Sequence, residues 1–235
     1  MRFPETLVPG VLLAREKRFI AHVRLDDGRV VRAHTNNSGR MTGCSEPGSR
    51  VWLSPADRPG RKLLWTWEIV EAGPRAVVAG INTLVPNRLV AEAIEAGKIP
   101  ELSGTGSLRT EVRYGRENSR ADLLLEAEGE RTWIEVKNVT LVRDGAACFP
   151  DAVTLRGRKH LRELEHQVEA GDRGVLFFVV QRGDAVCVAP ADDIDPDYGR
   201  ALRRAAALGV EILAWRAAVS PEEIVLERPL PLRLD

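Results

Sequence analysis

Ser119-Arg120-Ala121-Asp122 and Trp133-Ile134-Glu135-Val136-Lys137, with Glu128-Gly129-Glu130 between them, decide how this chain of 235 residues is read. Side chains alternate across a strand, so Glu135 and Lys137 face one way while Ile134 and Val136 face a core. Glu128-Gly129-Glu130 is a turn that makes Ala121–Glu126 and Thr132–Val136 the arms of a hairpin, which sets Asp122 beside Glu135. Two carboxylates and one ammonium then meet at the end of a sheet. Oxygen donors of this kind suit a hard cation such as Mg2+ or Mn2+ that keeps waters and contacts phosphate oxygens. Such an ion lowers the pKa of a bound water and stabilises charge building on a phosphodiester, while Lys137 orients the water or neutralises that charge. Asp122, Glu135 and Lys137 are the candidate catalytic residues, and Asp122 and Glu135 the candidate metal ligands. The Glu-x-Lys tripeptide says little alone, because the chain has 21 glutamates and an exposed ion pair along a strand gives the same pattern. Its weight comes from the apolar strand around it, the aspartate one hairpin upstream and a basic helix downstream.

That helix is expected over Arg158–Glu169, with Leu161, Leu164 and Val168 on one stripe. Arg156, Lys159 and His160 cluster near its start, where free backbone N–H groups already favour phosphate. A solvated basic turn paired with Glu163 or Asp151 is the plainer alternative, and His160 is alternatively a packing histidine. Upstream, Asn87–Ala96 has helical spacing and ends at Gly97, and Arg109–Tyr114 reads as a strand. Downstream, Gly174–Val180 is a continuous apolar run of the kind buried on both faces of a sheet. A short strand over Ala185–Ala189, a helix over Tyr198–Leu208 and a final strand over Glu211–Trp215 follow. The order α-β-β-β-α-β-β-α-β makes residues 83–235 an α/β domain with a mixed sheet.

Residues 1–82 read as β-structure. Leu7–Ala14, Phe19–Leu25 and Arg29–Thr35 are strand-like, with the hairpin signal Asp26-Asp27-Gly28 before the third. Pro47-Gly48 and Pro59-Gly60 bracket Val51-Trp52-Leu53, and Leu63–Val70 carries Trp65 and Trp67 on one face. About five short strands between Gly/Pro turns suggest a small closed barrel, OB-like or SH3-like by periodicity alone. In the polar loop Thr35–Gly43, Asn37, Ser38 and Arg40 are candidate contacts to a nucleic-acid backbone; an ordinary turn explains them as well. Arg15, Lys17, Arg18, Arg61 and Lys62 supply positive charge, and Trp65 and Trp67 are either base-stacking residues or core.

The chain carries 34 basic and 34 acidic side chains, a net charge of zero that at first argues against a nucleic-acid partner. Divided at residue 82, it becomes 13 basic against 8 acidic before and 21 against 26 after, a basic barrel of +5 and an acidic domain of −5. The zero therefore says nothing against DNA, and binding at the second domain is expected to need a divalent cation. Hydrophobic residues at 44% and charged residues at 29% are globular usage. No run approaches a transmembrane span, the start lacks a secretory apolar core, and three scattered cysteines suit reduced thiols, so a cytoplasmic protein without a membrane partner is expected. The four histidines and three cysteines show no zinc spacing.

Several blocks in order resemble the sugar fermentation stimulation protein A family along essentially the whole chain. They are Asn37-Ser38-Gly39-Arg40-Met41-Thr42-Gly43, Thr66-Trp67-Glu68, Asn82-Thr83 with Asn87-Arg88-Leu89, and Ser119-Arg120-Ala121-Asp122. The longest are Ile134-Glu135-Val136-Lys137-Asn138-Val139-Thr140-Leu141 and Phe149-Pro150-Asp151-Ala152-Val153-Thr154 with Arg156-Gly157-Arg158-Lys159-His160-Leu161. The resemblance implies an N-terminal OB-fold and a C-terminal domain like the PD-(D/E)xK nucleases. It also implies DNA binding largely without sequence specificity, and a regulatory link to sugar (maltose) metabolism. By motif, Asp122, Glu135 and Lys137 are the nuclease-like trio, and Glu92 is placed for an additional acidic ligand from the first helix. Asn36 and Leu155 depart from the family pattern, outside the trio. DNA is thus the expected partner, with a non-cleaving binder and a Mg2+- or Mn2+-dependent endonuclease as competing readings, a sensor or interaction module ranked last and a homodimer left open.

Overall fold

The computed structural model describes residues 1–56 and 60–235. In the first domain β1 (Val8–Glu16), β2 (Ile20–Leu25), β3 (Val30–His34), β4 (Arg50–Pro55) and β5 (Trp65–Ala72) wind into a barrel. β2 pairs antiparallel with β1 and β3, β1 with β4, and β4 with β5, and the parallel pairing of β3 with β5 closes the ring. This is an OB barrel. β6 (Val77–Gly80), absent from the sequence reading, continues the sheet from β5. Alternate positions point inward, so Leu12, Ala21, Val23, Val51, Leu53 and Trp67 are fully buried. Trp67 is core, its indole N–H donating to the Ile69 carbonyl at 2.9 Å, while Trp65 packs half-buried against the same cluster. Stacking of bases on Trp67 is thereby excluded. The Pro47-Gly48 turn forms with Gly48 at φ 91°; Pro59, in the other expected turn, lies outside the described residues.

The loop from β3 to β4 plugs the barrel. Met41 and Cys44 are buried in its core, and burial pushes the Cys44 thiol up to about 11, so Cys44 is an apolar filler. All three cysteines are free.

The second domain begins with α1 (Val85–Glu95), followed by β7 (Gly106–Tyr114), β8 (Ser119–Ala127) and β9 (Glu130–Val139). β10 (Leu141–Arg143), β11 (Ala146–Phe149), α2 (Leu155–Glu169), β12 (Arg173–Val180), β13 (Cys187–Pro190), α3 (Pro196–Ala207), β14 (Glu211–Val219) and β15 (Ile224–Pro229) complete it. Six strands form a mixed sheet in the order β15-β14-β12-β9-β8-β7, and β10, β11 and β13 form a small second sheet. The neighbours β9, β12 and β14 run parallel and are covered on both faces, α1 packing on one and α2 with α3 on the other. That double cover explains the unbroken apolar run of β12. Glu128 and Gly129 have φ of 54° and 85° between the paired Ala127 and Glu130, a two-residue hairpin turn of the kind whose twist matches the strands.

Besides β6, further features depart from the sequence reading. β10, β11 and β15 carry patterns too weak to read from the sequence, so β14 is not the last strand, whereas β13 overlaps the short strand expected over Ala185–Ala189. α2 starts at Leu155 because the Thr154 hydroxyl caps it, accepting the Gly157 N–H at 3.0 Å. Met1 and Phe3 pack with α1 and β15, and Arg2 bridges to Glu223, so the first residues lie with the second domain rather than the barrel.

The two domains are stitched together. The Gly80 N–H donates to the Gln181 carbonyl at 3.0 Å, Cys44 Sγ to the Thr140 carbonyl at 3.8 Å, Thr83 Oγ1 to the Asn36 carbonyl at 3.1 Å, and the Met41 N–H to Asp151 at 3.1 Å.

Candidate metal and nucleic-acid site

The β8–β9 ladder runs from Ala127 and Glu130 to Leu123 and Ile134. Beyond it a side chain joins the strands: Asp122 Oδ2 accepts the Val136 N–H at 2.8 Å, and Oδ1 accepts from Asn87 Nδ2 at 2.9 Å. Side-chain direction changes at this point, Leu123 and Leu125 packing on the α1 face while Ala121 lies on the α2 face. Asp122 is thus held between the sheet and α1.

Glu135 is 0% exposed, beneath α2. Its Oε1 accepts the Tyr114 hydroxyl at 2.8 Å, and its Oε2 lies 3.2 Å from Lys137 Nζ and 2.5 Å from His160 Nδ1. Arg156 Nε donates to His160 Nε2 at 3.2 Å, which assigns the ring proton to Nδ1 and makes His160 a donor to Glu135. Close approach of α2 depends on Gly157: a Cβ there would meet Tyr198 of α3 at 3.0 Å and Thr154 at 2.8 Å.

The two carboxylates respond oppositely to this setting. Burial pushes the Asp122 carboxyl up and neighbouring Glu135 adds to the effect, against the opposing pull of Lys137. Burial also opposes ionisation of Glu135, but Lys137, His160 and Tyr114 overcome it and hold the carboxyl down to about 2. Glu135 is therefore a permanent anion, and Asp122 an anion short of countercharge.

Lys137 Nζ also donates to the Val136 carbonyl at 3.4 Å. The side-chain ammonium therefore rests on two of the oxygens that a hard cation would use, so the seat is already one for positive charge. Asp122, Glu135 and the Val136 carbonyl fit Mg2+, Mn2+ or Ca2+, with water completing the shell. No third His, Cys, Asp or Glu joins them among the described residues.

Asp122, Glu135 and Lys137 are thus brought together as the sequence reading expected. Glu92 is not: it pairs with the Met1 amine at 2.9 Å and with Arg88 at 2.7 Å, on the far flank of α1. Glu92 follows Asn87 by five residues, which turns it well away on a helix of 3.6 residues per turn. The first helix contributes an amide, Asn87. Asn87 and Tyr114 escaped the sequence reading; the available signal was that a carboxylate inside an apolar strand requires nearby donors.

The basic and polar candidates separate into three groups. Arg156, Lys159 and His160 lie on α2, His160 as a Glu135 partner and Lys159 donating to the Glu117 carbonyl. Asn37 is buried, its side chain bonded to the Ile81 carbonyl and the Gly39 N–H, so it shapes the loop instead of facing a ligand. Arg15 donates to the carbonyls of Asn37, Gly39 and Arg40 and braces that loop, leaving Ser38 and Arg40 exposed. Lys17, Arg18 and Lys62 are exposed on the barrel, and Arg61 donates to Thr66 Oγ1 at 2.9 Å.

Comparison with known proteins places this geometry. Residues 84–223 match the sugar fermentation stimulation protein RE domain and residues 13–79 the SfsA N-terminal OB domain. The sugar fermentation stimulation protein homolog of Geobacter metallireducens is 61% identical over 234 residues, covering 100% of both chains. That of Geobacter sulfurreducens is 61% identical over 232 residues, 99% of this chain and 98% of the relative. The structure of Pyrococcus furiosus SfsA in complex with Ca2+ superposes with a TM-score of 0.88 at 28% identity, covering 99% of this chain and 98% of that one. The chain belongs to the sugar fermentation stimulation protein family.

Proposed function

We propose that the protein binds DNA without marked sequence preference and hydrolyses its phosphodiester backbone with a divalent cation held by Asp122 and Glu135. The observation that carries this is the convergence of Asp122, Glu135 and Lys137 at the opening of the β8–β9 ladder, with a helix bearing Arg156, Lys159 and His160 over it. A divalent cation bound there would supply charge stabilisation for the phosphoryl group and a more acidic water. The chain's own residues do the rest. Asn87 and the Val136 N–H fix Asp122; Tyr114 and His160 fix Glu135. Lys137, whose Nζ lies 3.2 Å from Glu135 Oε2, would orient the attacking water or neutralise charge on the phosphate. The Ca2+ bound by the Pyrococcus furiosus relative supports a hard-cation site, since Ca2+ takes the same oxygen donors.

One observation favours binding without cleavage: the protein offers two carboxylates, and the acidic residue expected from α1 is engaged elsewhere. The regulatory link to sugar metabolism is an implication of the family's name, and no residue carries it. Supercoiled plasmid incubated with Mg2+ or Mn2+ is expected to be nicked by the wild type and left intact by Lys137→Ala protein that still retards DNA. Intact plasmid with wild-type protein across metals and substrates would leave the non-cleaving reading.

A further inference from the structure

The outward face of β2 and β3 is built unlike the rest of the barrel. Ala21, Val23 and Ala33 fill the core, so the cross-strand pairs Ile20 with His34, His22 with Arg32 and Arg24 with Val30 share the outer side. At the end of this face Phe19 is 46% exposed, and its ring stacks on His34 at 6.4 Å and 20° between planes. Lys17 and Arg18 occupy the adjoining β1–β2 turn, both with positive φ, 49° and 65°, which turns the chain sharply and leaves their side chains in solvent. Arg18, Arg24 and Arg32 have no ion-pair partner among the described residues, whereas Glu16, at the edge, is held by His22 at 3.1 Å and Lys17 at 3.6 Å. A depression of about 410 Å3 lined by Ala14, Arg15, Arg18, Ser45 and Pro47 continues the surface.

An exposed aromatic pair beside unpaired guanidinium groups has a specific chemical complement. A nucleobase offers a flat apolar face and the phosphate next to it a negative charge, and stacking on an aromatic ring needs no particular base. In duplex DNA the base faces are already stacked on one another, so only an unpaired strand can lay a base on Phe19. In OB barrels the face of strands 2 and 3 and the loop between strands 1 and 2 are where oligonucleotides lie. Resting on the DNA-binding reading above, we propose that this face binds single-stranded DNA, with a base stacked on the Phe19–His34 pair and phosphates taken by Arg18, Arg24 and Arg32.

Fluorescence anisotropy tests this with an oligothymidylate of about 16 nucleotides, the upper site size of an OB-fold, and a duplex of equal length, both in chelator. The wild type is expected to bind the single strand more tightly. Phe19→Ala is expected to weaken that binding about tenfold while leaving the duplex unaffected, and Phe19→Trp to restore it. Arg24→Ala combined with Arg32→Ala is expected to flatten the salt dependence by roughly two phosphate contacts. Equal single-strand affinity in Phe19→Ala and wild type, or a duplex bound as tightly as the single strand, would overturn the proposal and leave DNA binding standing. Failure of either DNA form to bind, with Mn2+ or without, would remove the DNA-binding reading itself.

Discussion

Glu135 sits fully buried within a sheet, and it remains ionised because Tyr114, Lys137 and His160 converge on its two oxygens. Removing a partner of a buried charge is costly, since the remaining group keeps its desolvation penalty. Tyr114→Phe deletes one hydroxyl and nothing else, so it is expected to destabilise the protein by about 1.5–3 kcal/mol, the range for hydrogen bonds to charged groups. Urea unfolding checks this through a lower midpoint at unchanged slope. Glu68 in the barrel is the opposite case. Burial raises its carboxyl above the ordinary value of 4.5, and the bonds from Ser54 and Asn82 only partly compensate. An acid raised by folding binds its proton more tightly in the native state, so it stabilises below 4.5 and that contribution is lost as pH rises through the native value. Glu68→Gln can still accept from Asn82 and pair with Ser54. It is expected to unfold at a higher temperature than wild type at pH 7, with the gap closing toward pH 4; the reverse order at pH 7 would contradict burial as the cause of the raised carboxyl.

At the scale of elements, the β7–β8 turn is tied to α2. Glu163 is buried and accepts the Arg116 N–H at 2.8 Å and the Glu117 N–H at 2.6 Å. Gly115 lies against it at φ 73°, where a Cβ would collide with the Glu163 carboxylate. Gly115→Ala therefore combines left-handed strain with displacement of an anchoring carboxylate, and a loss of about 2–4 kcal/mol is expected in denaturant unfolding. Elements of this domain with strong periodicity, β8, β9, β12 and the three helices, were legible in the sequence. Leu141–Arg143 and Ala146–Phe149 were not, because strands of three and four residues are too short to show alternation. The site divides the same way. Asp122, Glu135 and Lys137 were legible because a hairpin fixes their relation locally. Asn87, Tyr114 and the true place of Glu92 depend on how α1 and β7 pack, contacts that span 35 residues in the case of Asn87 and Asp122. The loop Asn37–Gly43 was legible only in part: Asn37 shapes the loop and Met41 plugs the barrel, while Ser38 and Arg40 stay exposed.

In the whole molecule, the zero net charge is the sum of a basic barrel and an acidic domain, and the joint between them holds the two in one frame. Asp151 of the second domain accepts the Met41 N–H at 3.1 Å, and a Cβ at Gly39 would approach its carboxylate to 2.5 Å. On the proposed reading the acidic half would reach phosphate once its central carboxylates are neutralised, so DNA affinity is expected to rise with a divalent cation and to fall steeply with salt. All of this turns on whether Asp122 and Glu135 hold a cation. Calorimetric titration of Mn2+ into wild-type and Asp122→Ala protein measures that directly. The wild type is expected to bind and the Asp122→Ala protein to lose the signal while remaining folded; equal binding by the two, or none by the wild type, would contradict the assignment of this site.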